Sequence, residues 1–301
     1  MTRQSGVVLL YHRVANLASD LQEVAVRKAH FAAHLNVVRD VARVVPLRDI
    51  GKLDEPHVAI TFDDGYRDNA QVAAPMLKAA GIPATFFVVS GFVGAAEAPW
   101  WTVLEALCQL SEQAEPVQID RSGIKLWVDA RNRAGLDRLY WALYWRLRPL
   151  PLDHIHEFMQ ELAATLGPPP ETLRTDLFMR ADDLTRVAAD DLFEIGSHTA
   201  NHPFLASQTS EAQERELNDS RAMLEDLTKK PVISLSYPYG GPGAYDETTI
   251  ALARAAGYER ACIVRNLCVG PDTDPMRIPR CVVKDWDREM FAQQLSHWFG
   301  D

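Results

Sequence analysis

Short apolar runs alternate with amphipathic segments along most of this 301-residue chain. Each run has the length of a buried parallel strand, and each intervening segment is long enough for a crossover helix. The predicted strands lie within residues 7–12, 57–64, 84–90, 192–198, 232–240, 260–264 and 277–283. The predicted helices span residues 27–40, 69–80, 181–190, 209–228, 246–256 and 287–298. This alternation predicts an α/β fold, and the number of units favours a barrel over an open sheet.

Residues 95–180 interrupt the alternation, because they carry several helix signals and few strand signals. We interpret this stretch as a helical insertion between two units of the main fold. The predicted barrel therefore consists of residues 1–94 and 181–301.

Composition excludes several classes of protein. A net charge of −10 argues against a nucleic-acid partner, since a phosphate backbone attracts basic surfaces. The four cysteines lack C-x-x-C spacing, which favours reduced thiols over a disulfide framework or a zinc knuckle. The apolar run 7–10 is too short for a signal sequence, and no stretch reaches 18 apolar residues, so we expect a cytoplasmic protein without a transmembrane segment. The oligomeric state stays open.

Polar residues cluster where the apolar runs end. His12 ends the first run, Asp63 and Asp64 end the second, His198 ends the fourth, and Gly240 ends the fifth. In barrels and doubly wound sheets the carboxyl ends of parallel strands share one face, which holds the active site. We therefore expect these separated segments to converge on one pocket.

The segment TFDDGY places two carboxylates, Asp63 and Asp64, directly after a strand. Buried adjacent carboxylates are costly unless something binds them. Gly65 lets the backbone turn sharply. The alternative interpretation is a structural one, because Asp-Gly is also a common turn pair and Asp a common helix cap.

The segment SHTANHP has His198 and His202 at H-x3-H spacing, which can place two imidazoles on one metal ion. Pro203 argues against a continuing helix and favours a loop at a strand end. Such a pair also arises by chance. Together with a carboxylate, however, two histidines form a facial set of ligands that leaves positions open for water and substrate.

These motifs resemble those of the polysaccharide deacetylases, the NodB-homology group or carbohydrate esterase family 4. The resemblance rests on TFDDGYRDN, SHTANHP and SYPYG, in that order. LLYHRV and RIPR resemble the subgroup that contains poly-N-acetylglucosamine deacetylases. The resemblance covers roughly residues 1–94 and 181–285 and leaves out the insertion. It implies a distorted (β/α)7 barrel, circularly permuted as in the similar subgroup.

The resemblance also implies a role for each motif residue. Asp64, His198 and His202 would hold a divalent metal, usually zinc, with cobalt and nickel as alternatives. Asp63 would be the catalytic base. His12, on the first strand of the permuted barrel, would be the general acid; otherwise it is a hydrogen-bonded core histidine.

The third motif departs from the family pattern. It usually begins with an arginine, whereas Ser236 stands here. Arg280 of RIPR would replace that arginine as the partner of Asp63, or is a structural arginine. The backbone N–H of Tyr239 would support the oxyanion.

The predicted function is metal-dependent removal of N-acetyl groups from an amino sugar, glycan or glycoside, with release of acetate. One alternative is a hydrolase of the same fold that acts on other amides or on O-acetyl esters, as ureide hydrolases and xylan esterases do. Another is a glycan-binding barrel without catalysis. The tryptophans of the insertion would form its own core or its contact with the barrel, or some of them would cap the mouth of the active site and stack on a sugar ring.

Overall fold

The computed structural model describes residues 6–110, 117–121, 124–128, 130–173 and 176–300. The chain divides into two compact units. Unit 1 comprises residues 1–94 and 178–301, and unit 2 comprises residues 95–177. Residues 178–180, which the sequence assigned to the insertion, lie in unit 1.

Unit 1 contains most of the strands. In the described part of the chain the strands are β1 (Gly6–Tyr11), β2 (Arg13–Val14), β3 (Ala25–Val26), β4 (Arg43–Val44), β5 (His57–Phe62), β6 (Ala84–Val88), β7 (Val117–Arg121), β8 (Ile124–Val128), β9 (Phe193–Ser197), β10 (Ser234–Ser236), β11 (Arg260–Val264) and β12 (Ile278–Val282). The seven predicted strands match β1, β5, β6 and β9 to β12 to within a few residues at each end.

The α-helices are α1 (Lys28–Val41), α2 (Ala74–Ala80), α3 (Trp100–Leu110), α4 (Arg133–Leu147), α5 (Leu152–Leu166), α6 (Ala181–Ala188), α7 (Ser210–Thr228), α8 (Glu247–Ala255) and α9 (Arg288–Phe299). A π-helical turn, Asn69–Ala73, precedes α2. Within the described residues, none of the helices combines the length and the apolar character that crossing a membrane requires.

Seven strands of unit 1 close into a ring in the order β1, β12, β11, β10, β9, β6 and β5, and β5 pairs back to β1. Every pairing in the ring is parallel. The two-residue strand β4 pairs with the start of β5 outside this ring. The ring is distorted at β10, which has three residues and a single registered partner on β9. The predicted α/β barrel of seven strands is confirmed.

Successive side chains along each strand point alternately into the barrel and toward the layer between the strands and the helices. On β5, Ala59 belongs to an inner apolar cluster, whereas Val58 and Ile60 pack in the outer core. The inner cluster includes Phe87, and a Cβ atom at Gly196 would lie 2.5 Å from the Phe87 ring. Glycine at position 196 therefore makes room for an aromatic ring inside a narrow barrel.

Side-chain caps fix where several helices begin. The side chains of Thr209, Asp246 and Asp287 accept hydrogen bonds from backbone N–H groups in the first turns of α7, α8 and α9. Such caps satisfy amides that have no partner within the helix. They explain why the predicted helix starts agree closely with the observed ones.

Unit 2 contains α3, α4 and α5, and also an antiparallel hairpin of β7 and β8. The sequence-based description of this unit as helical missed the hairpin, although Ser-Gly between two β-rich runs is a turn signal. Trp100 is buried in this unit and stacks on Tyr144, with ring centroids 5.3 Å apart. Trp100 is therefore part of the core of its own unit.

Candidate active site

Three loops follow the carboxyl ends of β5, β9 and β10 and meet at one end of the barrel. The backbone N–H of Asp63 donates to the carbonyl of Tyr11, 3.0 Å away, and so extends the pairing of β1 with β5. The N–H of His198 donates to the carbonyl of Val88, 2.9 Å away, and extends the pairing of β6 with β9. The strand register thus brings distant parts of the sequence to the same barrel end.

Asp64, His198 and His202 form a buried cluster whose candidate ligand atoms all lie within 4.8 Å of one another. Oδ1 of Asp64 is 3.4 Å from Nε2 of His198 and 3.6 Å from Nε2 of His202. All three side chains are less than one-tenth exposed. The structure therefore brings together the three residues that the sequence suggested as metal ligands.

Hydrogen bonds hold the His198 ring and the backbone of His202 in place. Nδ1 of His198 lies 2.7 Å from the carbonyl of Ser236, so this nitrogen carries a proton, and Nε2 is the nitrogen that faces Asp64. The N–H of His202 donates to Oγ1 of Thr199, 3.1 Å away. Glu216, on α7, accepts hydrogen bonds from the N–H groups of Ala200 and Asn201, which holds the loop between the histidines.

The backbone of these loops is locally strained. Six non-glycine residues in the described part of the chain have a positive φ. Four of them, Asp64, Thr199, His202 and Tyr239, lie in the three motifs, with φ between 58° and 73°. Such conformations cost about 1–2 kcal/mol each and tend to persist at functional sites, where the surroundings impose them. The strained residues are therefore concentrated in the loops that carry the candidate site.

Asp63 lies beside this cluster but has its own partner. Nη1 of Arg280 donates to Oδ1 of Asp63 at 2.6 Å, and Nη2 donates to Oδ2 at 2.7 Å. The hydroxyl of Ser236 donates to Oδ2 of Asp63 at 3.1 Å and accepts from Nη2 of Arg280 at 2.8 Å. Thr61 accepts from Nη1 at 3.3 Å. Arg280 is fully buried, so its charge is balanced inside the barrel by the carboxylate of Asp63.

Burial and charge act in opposite directions on the two aspartates. Burial alone would raise the pKa of Asp63, but the guanidinium of Arg280 and the nearby His198 hold that pKa well below its usual range. Burial would also raise the pKa of Asp64, but the hydrogen bond from His198 holds it below the usual value. Both carboxylates are therefore anionic at neutral pH.

The two histidines differ from each other. Burial would lower the pKa of His198, but Asp63 and Asp64 raise it above the usual value. Burial and the neighbouring His198 lower the pKa of His202 to about 3. The cluster therefore accommodates one positive charge at His198 but not a second at His202.

These residues fit a divalent metal ion. Two imidazoles and one carboxylate are the ligand set of many catalytic zinc sites, which keep further positions open. Nδ1 of His198 is engaged by a backbone carbonyl, which leaves Nε2 facing Asp64, as the backbone-oriented histidines of metal sites do. Asp63 is paired with Arg280, and the carboxylate of Asp64 faces the two imidazoles, so one anionic oxygen and two nitrogen atoms are available as ligands to a cation.

His12 and Tyr239 lie at the same end of the barrel. His12 directly follows β1, and its charge contributes to lowering the pKa values of Asp63 and Asp64. The ring of Tyr239 packs edge-on against His202, with centroids 4.7 Å apart. Their proposed roles as acid and oxyanion support remain predictions.

Sequence reasoning gave no role to several residues that the structure brings to this end of the barrel. Ser236 appeared only as the residue in place of an expected arginine, yet its hydroxyl and its carbonyl contact two different parts of the site. Asp68 and Asn69 belong to the quoted motif TFDDGYRDN but had no assigned function. Their contacts cross between loops, which periodicity along the sequence does not reveal.

The chain was compared with models of known protein families, and one of them matches two long segments. The model of the polysaccharide deacetylase family matches residues 50–130 and 152–261 of this chain. YxkH of Bacillus subtilis (strain 168), named as a polysaccharide deacetylase, is 23% identical over 260 residues. That match covers 84% of this chain, and the chain spans 62% of the length of YxkH.

Solved structures show the same fold. IcaB from Ammonifex degensii superposes with a TM-score of 0.64 at 20% identity, covering 99% of this chain and 98% of that one. A de-N-acetylase from Aggregatibacter actinomycetemcomitans superposes with a TM-score of 0.58 at 17% identity, covering 97% and 99% of the two chains. At these identities the similarity establishes the barrel architecture.

Proposed function

Because the chain belongs to the polysaccharide deacetylase family, we propose that it is a metal-dependent hydrolase that removes N-acetyl groups from an amino sugar, glycan or glycoside. The observation that carries this proposal is the buried cluster of Asp64, His198 and His202 directly beside the carboxylate of Asp63. The family supports deacetylation of a glycan. The de-N-acetylase among the structural relatives supports an amide rather than an ester as the bond that is broken.

The proposed cofactor is zinc, held by Asp64, His198 and His202. When bound, such an ion lowers the pKa of water and polarises an acyl carbonyl. Asp63 is the proposed base that takes a proton from the attacking water. Arg280 keeps Asp63 in the unprotonated form that a general base must have at neutral pH.

In the proposed reaction, the water oxygen forms a bond to the acyl carbon and the C–N bond breaks. An amine anion is a very poor leaving group, so the nitrogen must receive a proton as the bond breaks. His12 is the proposed donor of this proton, and the N–H of Tyr239 is the proposed support for the oxyanion. The products are acetate and a free amino sugar.

The proposal is tested by incubating the purified protein with N-acetylated chito-oligosaccharides and measuring acetate and free amine. We expect both products in equal amounts, loss of activity after chelation and recovery on adding zinc. O-acetylated xylan serves as the comparison substrate. Release of acetate from xylan alone would replace the amide by an ester as the substrate, and zinc binding without hydrolysis of either would favour a glycan-binding barrel.

A further inference from the structure

The segment around His12 is held by two side chains from the loop that follows β5. Nδ2 of Asn69 donates to the carbonyl of His12 at 2.7 Å. Oδ1 of Asp68 accepts from the N–H of Val14 at 3.0 Å, and Oδ2 accepts from Nε of Arg13 at 2.9 Å. Backbone groups at His12 and at Val14 are thus both fixed by neighbouring residues of one loop.

These contacts begin where the barrel pairing of β1 ends. The register of β1 with β5 runs to Tyr11 and Phe62, so the carbonyl of His12 lies beyond the last registered pair. The carbonyl of His12 is held by Asn69, which is fully buried at the start of the π-helical turn. The guanidinium of Arg13 also lies 4.7 Å above the ring of Tyr66. The end of β1 is therefore held by side chains of the TFDDGYRDN motif.

The amide of Asn69 is fixed in one orientation. Its Nδ2 group faces two acceptors, the carbonyl of His12 and, at 3.2 Å, Oδ1 of Asp68. Rotating the amide would place its oxygen against both of them. Because Asp68 is held in turn by Arg13, the contacts form a connected network rather than isolated bonds.

The same loop also carries Asp63 and Asp64, four to six residues before Asp68 and Asn69. We infer that Asn69 and Asp68 are positioning residues, which fix the imidazole of His12 relative to the two carboxylates. This inference rests on the proposed function, in which His12 protonates the leaving amine. Neither residue belongs to the candidate ligand cluster of Asp64, His198 and His202.

The test compares two substrates that differ in their need for an acid. An N-acetylated chito-oligosaccharide releases an amine, which must be protonated, whereas 4-nitrophenyl acetate releases a phenolate that leaves without a proton. For Asn69→Leu we expect kcat on the oligosaccharide to fall about 10- to 100-fold, since small displacements of a catalytic group have effects of this size. We expect KM, zinc content and hydrolysis of 4-nitrophenyl acetate to stay near wild-type values. Asp68→Asn, which keeps the acceptor for Val14, should show a smaller loss of the same kind.

His12→Ala provides the reference, because it should show the same selective loss. Thr228→Val is the matched control for Asn69→Leu, since the Thr228 hydroxyl donates to the carbonyl of Leu224 at 2.7 Å at the end of α7, near Phe193 at the start of β9. Asp190→Asn is the control for Asp68→Asn, since Asp190 accepts from the N–H of Leu192 at the start of β9. Both controls should retain activity on both substrates.

Two results would overturn the inference. One is an equal loss on both substrates by Asn69→Leu and Asp68→Asn, which would show general damage to the site. The other is unchanged turnover of the oligosaccharide in both folded variants. Wild-type protein that hydrolyses 4-nitrophenyl acetate but no N-acetylated sugar would instead overturn the proposed function, and with it any need for a positioned acid. Melting temperatures separate these outcomes from misfolding.

Discussion

Two neighbouring regions of the site differ in the groups that face their buried carboxylates. In the first, which we term the ion-pair region, Asp63 and Arg280 form two parallel hydrogen bonds, and Ser236 binds both. In the second, the histidine region, the carboxylate of Asp64 faces His198 and His202. In the first region the two opposite charges balance each other. In the second, one carboxylate and two imidazoles converge as candidate ligands for a cation.

The pKa shifts express the same difference. In the ion-pair region, Arg280 offsets the burial of Asp63 and lowers the pKa of the carboxylate. In the histidine region, the pKa of His198 is raised while that of His202 is lowered to about 3. One imidazole is therefore neutral at any pH near 7. The neutral imidazole of His202 can therefore offer a lone pair to a divalent cation beside the carboxylate of Asp64.

The largest expected effects separate the two adjacent aspartates. Asp63→Asn should lower kcat about 10²- to 10⁴-fold, the range for removal of a general base, while zinc content stays unchanged. Asp64→Asn should lose bound zinc, and activity with it. Steady-state kinetics and elemental analysis of the same samples check both expectations. Asp272→Asn, which changes an exposed carboxylate elsewhere in unit 1, serves as the control.

Zinc loss in Asp63→Asn together with zinc retention in Asp64→Asn would mean that the two roles are exchanged. Zinc loss in both would mean that the two regions form one metal site rather than two functional parts. Either result would break the comparison on which the proposed mechanism depends.

Removal of Arg280 tests whether the ion pair alone, without metal, balances the buried charge of Asp63. Arg280→Met leaves the buried carboxylate of Asp63 without its partner, and we expect a loss of about 3–5 kcal/mol in the free energy of unfolding. The double variant Asp63→Asn/Arg280→Met should recover part of this loss, because no uncompensated charge remains. Chemical denaturation of the metal-free protein measures both.

The control for this experiment is an exposed pair. Nη1 of Arg43 lies 3.3 Å from Oε1 of Glu55, and the two side chains are 65% and 59% exposed. Because exposed ion pairs contribute little, Arg43→Met should change the free energy of unfolding only slightly. A similarly small change in Arg280→Met would contradict the view that Arg280 balances a buried charge.

The sequence predicted the barrel strands because buried parallel strands are short apolar runs, and this pattern depends only on local residues. It also indicated Asp64 and His198, because both come at the ends of such runs and strand ends converge in a barrel, and it indicated His202 through its H-x3-H spacing from His198. It did not predict the roles of Ser236 and Asn69, since their partners lie 173 and 57 residues away, respectively, and a lone serine or asparagine carries no pattern. The hairpin of unit 2 was missed because helix signals on both sides dominated the interpretation.

His34 provides a smaller effect and shows what burial does to a histidine without a carboxylate in contact. Burial lowers the pKa of His34 to about 4, whereas Asp63 and Asp64 raise that of His198. Because the unfolded chain binds the proton near pH 6.5, His34 contributes stability above that pH, and this contribution is lost as pH falls toward 4. The full loss is roughly 3 kcal/mol for a shift of this size.

The measurement is the free energy of unfolding between pH 7 and pH 4 for wild type and His34→Gln. We expect a shallower decrease in the variant, since glutamine does not titrate. His154→Gln, at an exposed position, should retain the wild-type slope. Parallel curves for wild type and His34→Gln would show that His34 is not the group responsible.

The smallest expected effect concerns Ser236, the residue that contacts both regions. Ser236 contacts the ion-pair region through its hydroxyl and the histidine region through its carbonyl, which lies 2.7 Å from Nδ1 of His198. Ser236→Ala removes the first contact and keeps the second. We expect about 1–2 kcal/mol lower stability, because Arg280 loses one of its buried acceptors, with zinc affinity unchanged. Ser207→Ala removes an exposed hydroxyl that donates a hydrogen bond to the carbonyl of Phe204. This control should change neither the free energy of unfolding nor the zinc affinity. If zinc affinity falls together with stability in Ser236→Ala, the hydroxyl supports both regions, and the complete ion pair is part of what prepares the site for its cation.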